Sequence, residues 1–191
     1  SAAPVPFSSS IYMAAEALKL GGSEELKQAW LPKLASGEVI GTFAAAEGPA
    51  APSPRNTKTS FANGKLNGRK LPVPDGETAS VAIVLANTGG TGEQAVSLVV
   101  VDLTQSSVTR ASVETIDPTR GHAEISFDDA DATLLGEAGE GWSLMKRIEA
   151  GAAVLVAFEQ VGGTEAAMNM AKDYSLDRYA FGRQIGSYQA I

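Results

Sequence analysis

Val81-Ala-Ile-Val-Leu85 and Ala95-Val-Ser-Leu-Val-Val-Val-Asp-Leu103 decide what kind of fold this chain can have. Both are short apolar runs rich in β-branched residues, and Gly89, Gly90 and Gly92 lie between them. Runs of this kind, bounded by turn residues, read as buried strands. On the N-terminal side, Lys58-Thr-Ser-Phe61 and Lys65-Leu-Asn-Gly68 flank Asn63-Gly64. Asn-Gly supplies the positive φ that a tight hairpin turn needs, so these runs read as a hairpin. Further out, Val39 to Ala46 is apolar and extended, followed by the Pro-rich loop Gly48 to Pro54. On the C-terminal side, weaker strand patterns cover 110–116 and 122–128. No helical pattern interrupts the series, so residues 38–137 read as an antiparallel β-barrel or sandwich.

The flanks have a different period. Pro4 and Pro6 give an extended entry, and Ser8, Ser9 and Ser10 offer an N-cap for a helix through Ile11–Leu20 that Gly21-Gly22 ends. Ser23 can cap a second helix, with Glu24 and Glu25 suited to its dipole and Leu26, Trp30 and Leu34 at helical spacing. Residues 1–37 are therefore a helical hairpin, the end of a helical domain. After the Gly-rich loop 136–141, Trp142 to Asp177 holds no proline and repeats apolar residues at Leu144, Ile148, Leu155, Phe158, Ala166, Met170 and Tyr174. No side chain between Glu149 and Glu159 is charged, which predicts burial on nearly every face. Arg178-Tyr-Ala-Phe-Gly-Arg-Gln-Ile-Gly-Ser-Tyr-Gln-Ala-Ile191 then reads as a corner leading into another helix. The expectation is an α+β chain: residues 1–37 closing a helical domain, 38–137 a middle β-domain, and 138–191 opening a helical bundle. This order reads as the middle of a longer protein.

Composition narrows the chemistry. The chain has 191 residues, 44% of them hydrophobic, and a net charge of -7, which argues against nucleic acid as the main partner. It has no cysteine, so thiolate catalysis, disulfides and Cys-based metal sites are excluded, and a cytoplasmic location is expected. The single histidine, His122, sits in a period-2 strand pattern and reads as structural. Asp128-Asp-Ala-Asp131 lacks the glycine and distal glutamate of a calcium loop and reads as a surface turn, leaving no metal site. No apolar run reaches the roughly 20 residues of a membrane span.

Four stretches in this order resemble the acyl-CoA dehydrogenase family. They are Glu24 to Glu38, Ile40-Gly-Thr-Phe-Ala-Ala-Ala-Glu47, Asn67-Gly-Arg-Lys-Leu71, and Arg178-Tyr-Ala-Phe-Gly182 with Ser187-Tyr-Gln-Ala-Ile191. The likeness runs nearly end to end. It implies α,β-desaturation of an acyl-CoA thioester, of fatty or steroid type, by an oligomeric FAD flavoprotein. A flavin is required because no side chain accepts a hydride. By the resemblance, main-chain groups around Phe43, Ala45, Ala46 and Glu47 contact the flavin ring. Ser53 matches a serine near flavin and acyl-CoA. Arg178, Phe181 and Gln189 match contacts to the FAD of a neighbouring subunit. The implied partners are an acyl-CoA substrate, an electron-transfer flavoprotein or similar acceptor, and further subunits in a homo- or hetero-oligomer, a dimer of dimers.

Residue types alone leave blander roles open. Arg178 suits a helix C-terminus, Ser53 a turn, Phe181 the packing of the corner, and Gln189 solvent. The sequence also departs from the family pattern. Ala46 stands where members carry a hydroxyl residue that bonds the flavin, and Pro72-Val-Pro74 stands where they carry an aromatic and then a hydroxyl residue. No catalytic base is identified within the chain, because Ala152 and Ala153 occupy the helix positions where some members carry it and Glu149 lies about a turn away. The resemblance therefore implies either part of an FAD-dependent acyl-CoA dehydrogenase or a non-catalytic subunit completing a partner's FAD site. A structural or binding module without redox function is the third reading.

Overall fold

The computed structural model describes residues 5–117 and 119–190; Pro4 of the expected entry and Ile191 of the closing motif lie outside them. Residues 5–152 form one compact body and residues 153–190 a second.

In the first body a π-helical segment (Phe7–Ala15) runs into α1 (Glu16–Gly21), and α2 (Glu24–Ser36) follows. Ser23 caps α2 as expected, its hydroxyl accepting the Leu26 N–H at 3.3 Å, and Gly37 stops it in the left-handed region at φ 75°. Ser8, Ser9 and Ser10 do not cap the first helix, which already starts at Phe7. Ser9 and Ser10 are instead buried inside it. The Ser10 hydroxyl accepts the Gly41 N–H at 3.0 Å, and the Ser9 hydroxyl donates to the Asp75 carboxylate. The serines fasten the helix to the sheet, a tertiary role that local capping rules cannot see.

The strands are β1 (Gly41–Ala44), β2 (Ser60–Ala62), β3 (Lys65–Pro74), β4 (Val81–Asn87), β5 (Val96–Asp102), β6 (Val108–Val113) and β7 (His122–Leu135). β4, β2, β3, β7 and β5 join in a ring, since β5 also pairs with β4, so the sheet closes as a barrel. Asn63 and Gly64, at φ 52° and 76°, make the expected tight turn between β2 and β3. The sheet is not wholly antiparallel, however. β1 runs parallel to β4, Gly41 to Ala44 facing Val81 to Val84, and Ser60 pairs with Asn87 in the same sense. Two parallel neighbours need a long crossover, and the loop and hairpin between β1 and β4 supply it.

Alternation along β4 and β5 divides the core in two. Val81, Ile83, Leu85, Leu98 and Val100 pack with Leu18, Leu34 and the first turns of the last helix, whereas Ala82, Val84, Ala86, Val99 and Val101 fill the barrel with Leu66, Val73, Ile125 and Phe127. Small alanines on the inner face fit a narrow interior, and covering both faces explains why these strands read as unbroken apolar runs.

α3 (Gly141–Asp177) has the expected extent. Its first turn lies so close to β5 that a Cβ on Gly141 would sit 2.4 Å from the Ser97 carbonyl carbon. The expected burial of its middle is corrected: Val154, Leu155 and Phe158 are exposed, as are Val161, Met168, Met170 and Leu176 further along. An uncharged stretch records a surface that favours cover, and no described residue provides it. The second body ends differently from expectation as well. A short hairpin, β8 (Tyr179–Ala180) with β9 (Arg183–Gln184), replaces the second helix. No helix among the described residues is long and apolar enough to cross a membrane.

Candidate functional site

The residues singled out in the sequence fall into two groups, one in each body. The first lies where β1 runs out toward β3. Phe43 is buried among the residues that face the helices, so only its main chain is available to a ligand. Ala45, Ala46 and Glu47 are half-buried. The Ala46 carbonyl accepts the Leu71 N–H at 2.9 Å, and Glu47 bridges to Leu71 in parallel register. The Thr42 hydroxyl donates to the Pro74 carbonyl at 2.6 Å, closing the opposite end of this seam.

Glu47 does not present its carboxylate outward. It accepts the main-chain N–H of Lys58 at 2.8 Å and of Thr59 at 2.9 Å, and takes the Lys70 ammonium at 2.7 Å. Burial pushes this carboxyl up, but the bonds from Lys70, Thr59 and Lys58 outweigh it and hold it below the ordinary range. Lys70, with a side chain 0% exposed, also donates to the Ala45 carbonyl at 3.1 Å. Burial drives its ammonium below the ordinary lysine range, and Glu47 only partly restores it. Lys70 belongs to the stretch Asn67-Gly-Arg-Lys-Leu71 that resembles the family, but sequence alone assigns it no role of its own. Its signal was phase: Leu66 and Lys70 are four residues apart on β3, so a lysine occupies a barrel-facing position.

Ser53 opens the turn 53–57. Its N–H donates to the Asn56 side-chain oxygen at 2.8 Å, and its carbonyl accepts the Thr57 hydroxyl at 2.8 Å. Its own hydroxyl takes no part in these bonds. A cavity of about 200 Å³, lined by Glu47, Gly48, Pro49, Ala50, Asn56 and Lys58, adjoins the turn. A larger one, about 590 Å³, lies between α2 and the outside of the barrel, walled by Trp30, Val100 and Asp131; none of the selected residues lines it. We place the site at the smaller cavity because the charged and main-chain groups converge there. Pro72 and Pro74 are exposed on β3. They bring neither an N–H nor a hydroxyl.

The second group is carried by the hairpin after α3. The Arg178 N–H caps the helix on the Tyr174 carbonyl at 2.8 Å, and its carbonyl accepts the Ile185 N–H at 2.9 Å. Phe181 and Gly182, at φ 54° and 82°, form the turn; holding a phenylalanine there is strained. Phe181 is 98% exposed, so it does not pack the corner. Arg183 lies 3.8 Å over the Tyr188 ring, and the Tyr188 hydroxyl donates to the Ala180 carbonyl at 3.0 Å. Arg178 and Gln189 are exposed, and the Arg178 guanidinium has no acidic partner among the described residues. The hairpin thus ties up one arginine and presents the other.

Outside these two groups, His122 and Glu149 have definite surroundings. His122 has a structural partner, its Nδ1 lying 3.2 Å from the Arg120 carbonyl. Glu149 is exposed, yet partial burial of its carboxyl pushes it up. No group of acidic and imidazole side chains among the described residues has metal-ligand geometry.

No family model matches the chain. An acyl-CoA dehydrogenase of Bacillus subtilis is 35% identical over 182 residues, which cover 89% of this chain and 48% of that protein. The crystal structure of acyl-CoA dehydrogenase from Geobacillus kaustophilus superposes with TM-score 0.84 at 27% identity, over 93% of this chain and 50% of that one. A chain from the study of the electron transferring flavoprotein of Acidaminococcus fermentans superposes with TM-score 0.88 at 27% identity, over 97% and 51%. The chain spans about half the length of the curated relatives it matches.

Proposed function

We propose, from the premise that this chain belongs to the acyl-CoA dehydrogenase family, that it is part of an FAD-dependent enzyme that desaturates an acyl-CoA thioester between its α and β carbons. The observation that carries this is the seam at the end of β1, where Lys70 holds the Ala45 carbonyl, Leu71 the Ala46 carbonyl, and Lys58 and Thr59 the Glu47 carboxylate, beside a half-buried surface. The flavin supplies the hydride acceptance that no side chain offers. Phe43, Ala45, Ala46 and Glu47 hold its ring through main-chain groups, and Ser53 offers its hydroxyl to ring or thioester. Arg178 would hold a pyrophosphate through charge-assisted hydrogen bonds, and Phe181 and Gln189 would add further contacts to that FAD of a neighbouring subunit. Catalysis draws its base from outside this chain. The electrons pass to an electron-transfer flavoprotein or similar acceptor, in a cytoplasmic oligomer.

The donor chemistry of the seam fits a flavin through the main chain but not through side chains. Ala46, Pro72 and Pro74 offer no hydroxyl, and the prolines no N–H. That observation favours a second reading, in which the chain serves a non-catalytic subunit that lends Arg178, Phe181 and Gln189 to a partner's FAD. Flavin absorbance of the full-length protein separates the two. A yellow protein when expressed alone supports the first reading. A colourless protein that turns yellow only with a co-expressed homologue supports the second. Absence of flavin in both settings overturns both.

A further inference from the structure

Lys70 is a buried charge that the proposed function leaves unused. Its partner Glu47 already receives two main-chain N–H groups, and the Glu47 side chain keeps 14% of its exposure, so that carboxylate does not depend on the lysine for solvation. Burying an ammonium beside it is a poor way to gain stability, because desolvation tends to cancel the attraction. The distinctive contact is the other one, from the Lys70 ammonium to the Ala45 carbonyl at 3.1 Å. In a trans peptide the carbonyl and the following N–H point in opposite directions, so the ammonium pulls on one end of the unit whose other end is the Ala46 N–H. No described residue accepts that N–H. Polarising the carbonyl strengthens the N–H as a donor, as in any hydrogen-bonded chain. On an edge where Ala46 has no hydroxyl and Pro72 and Pro74 have no N–H, a strengthened main-chain donor carries unusual weight.

We propose that Lys70 is a positioning residue that polarises the Ala45–Ala46 peptide toward the bound ring and thereby raises the reduction potential of the flavin, with Glu47 as the counter-charge that limits the effect. This rests on the reading that the β1 seam faces a flavin. Reduction adds negative charge to the ring, so a nearby positive charge favours the reduced form and a nearby negative charge opposes it.

Two variants of the full-length protein, in whichever assembly retains FAD, test the sign. Lys70→Met lowers the potential by at least a tenfold shift in the oxidised-to-reduced equilibrium, about 30 mV for two electrons. Glu47→Gln, measured on the acid side of neutrality where Lys70 keeps its proton, raises it, because the ammonium is then less neutralised. A purely structural role loosens the seam in both variants and moves both potentials the same way. Shifts of equal sign, or no shift, therefore overturn the inference while leaving the functional reading in place. If Lys70→Met does not fold, Glu47→Gln decides alone: a rise supports the proposal, and a fall or no change overturns it. Wild-type protein without flavin, alone and with a homologue, removes the functional reading and this inference with it.

Discussion

Removing either partner of the Glu47–Lys70 pair has unequal consequences for stability, and the inequality follows from the geometry. Glu47→Ala leaves an ammonium with a side chain 0% exposed, and the Ala45 carbonyl at 3.1 Å becomes its remaining partner. Breaking a buried pair in this way costs about 3–5 kcal/mol. Lys70→Met leaves a carboxylate that is partly exposed and still bonded to two N–H groups at 2.8 and 2.9 Å, while methionine refills the slot. Its cost is about 1 kcal/mol, near that of one ordinary hydrogen bond. With a urea slope of about 2 kcal/mol/M, the unfolding midpoint falls by about 2 M in the first variant and about 0.5 M in the second. The measurement is equilibrium urea unfolding at constant slope. A pH arm sharpens it. The folded value of Lys70 is depressed, so the unfolded state binds more protons and stability rises with pH up to the ordinary lysine value of about 10.4. Without Glu47 the depression deepens, so the gap between wild type and Glu47→Ala narrows as pH rises from neutrality. Equal losses for the two variants, or a gap that widens with pH, refute the reasoning.

Gly141→Ala is expected to destabilise by about 3 kcal/mol, because the new Cβ meets the Ser97 and Leu98 main chain at 2.4 to 2.7 Å and neither side can yield; thermal unfolding reads it. Arg110→Ala removes bonds to the carbonyls of Gly76, Glu77 and Ala79 at 3.5, 3.0 and 2.7 Å, a loss of about 1–2 kcal/mol, with faster amide exchange confined to residues 75–80. Acid weakens the protein through Glu47. Its lowered folded value gives stability that is complete above the ordinary glutamate value of about 4.3 and is lost as pH falls through the folded one. Glu47→Gln therefore flattens the acid side of a melting-temperature profile. In the full-length protein, Phe158→Asp is expected to lower stability or disrupt assembly, although Phe158 is 73% exposed here; unchanged melting and unchanged mass in solution would show that the face stays bare.

Much of the architecture was legible because its signals are local. The α2 cap at Ser23, the stop at Gly37, the Asn63-Gly64 turn and the extent of α3 each depend on a few adjacent residues. What escaped depends on residues far apart. The parallel pairing of β1 with β4 joins Gly41 to Val81, and no local pattern states the direction of a partner strand. Ser9 and Ser10 read as caps until their partners Asp75 and Gly41 are known. The closing hairpin was missed because Phe181 sits at positive φ, a place where sequence rules look for Gly or Asn. At the candidate site, Phe43 and Glu47 were located by resemblance, but their burial and bonding were not. Lys70 was overlooked because one charged residue in a strand ordinarily marks the solvent face.

β7 pairs with β3, β5 and β6, and it is the last strand of the barrel to be synthesised. Three edges therefore wait on one segment. While the ribosome is still adding residues before His122, the β4–β5 hairpin can form, but β3 and β6 have no partner in β7 and the barrel cannot shut. At translation speeds of about 5–20 residues per second, these edges stay open for seconds. Open strand edges are templates for pairing with other chains. Until β7 emerges, a growing chain therefore exposes three strand edges that the finished barrel hides.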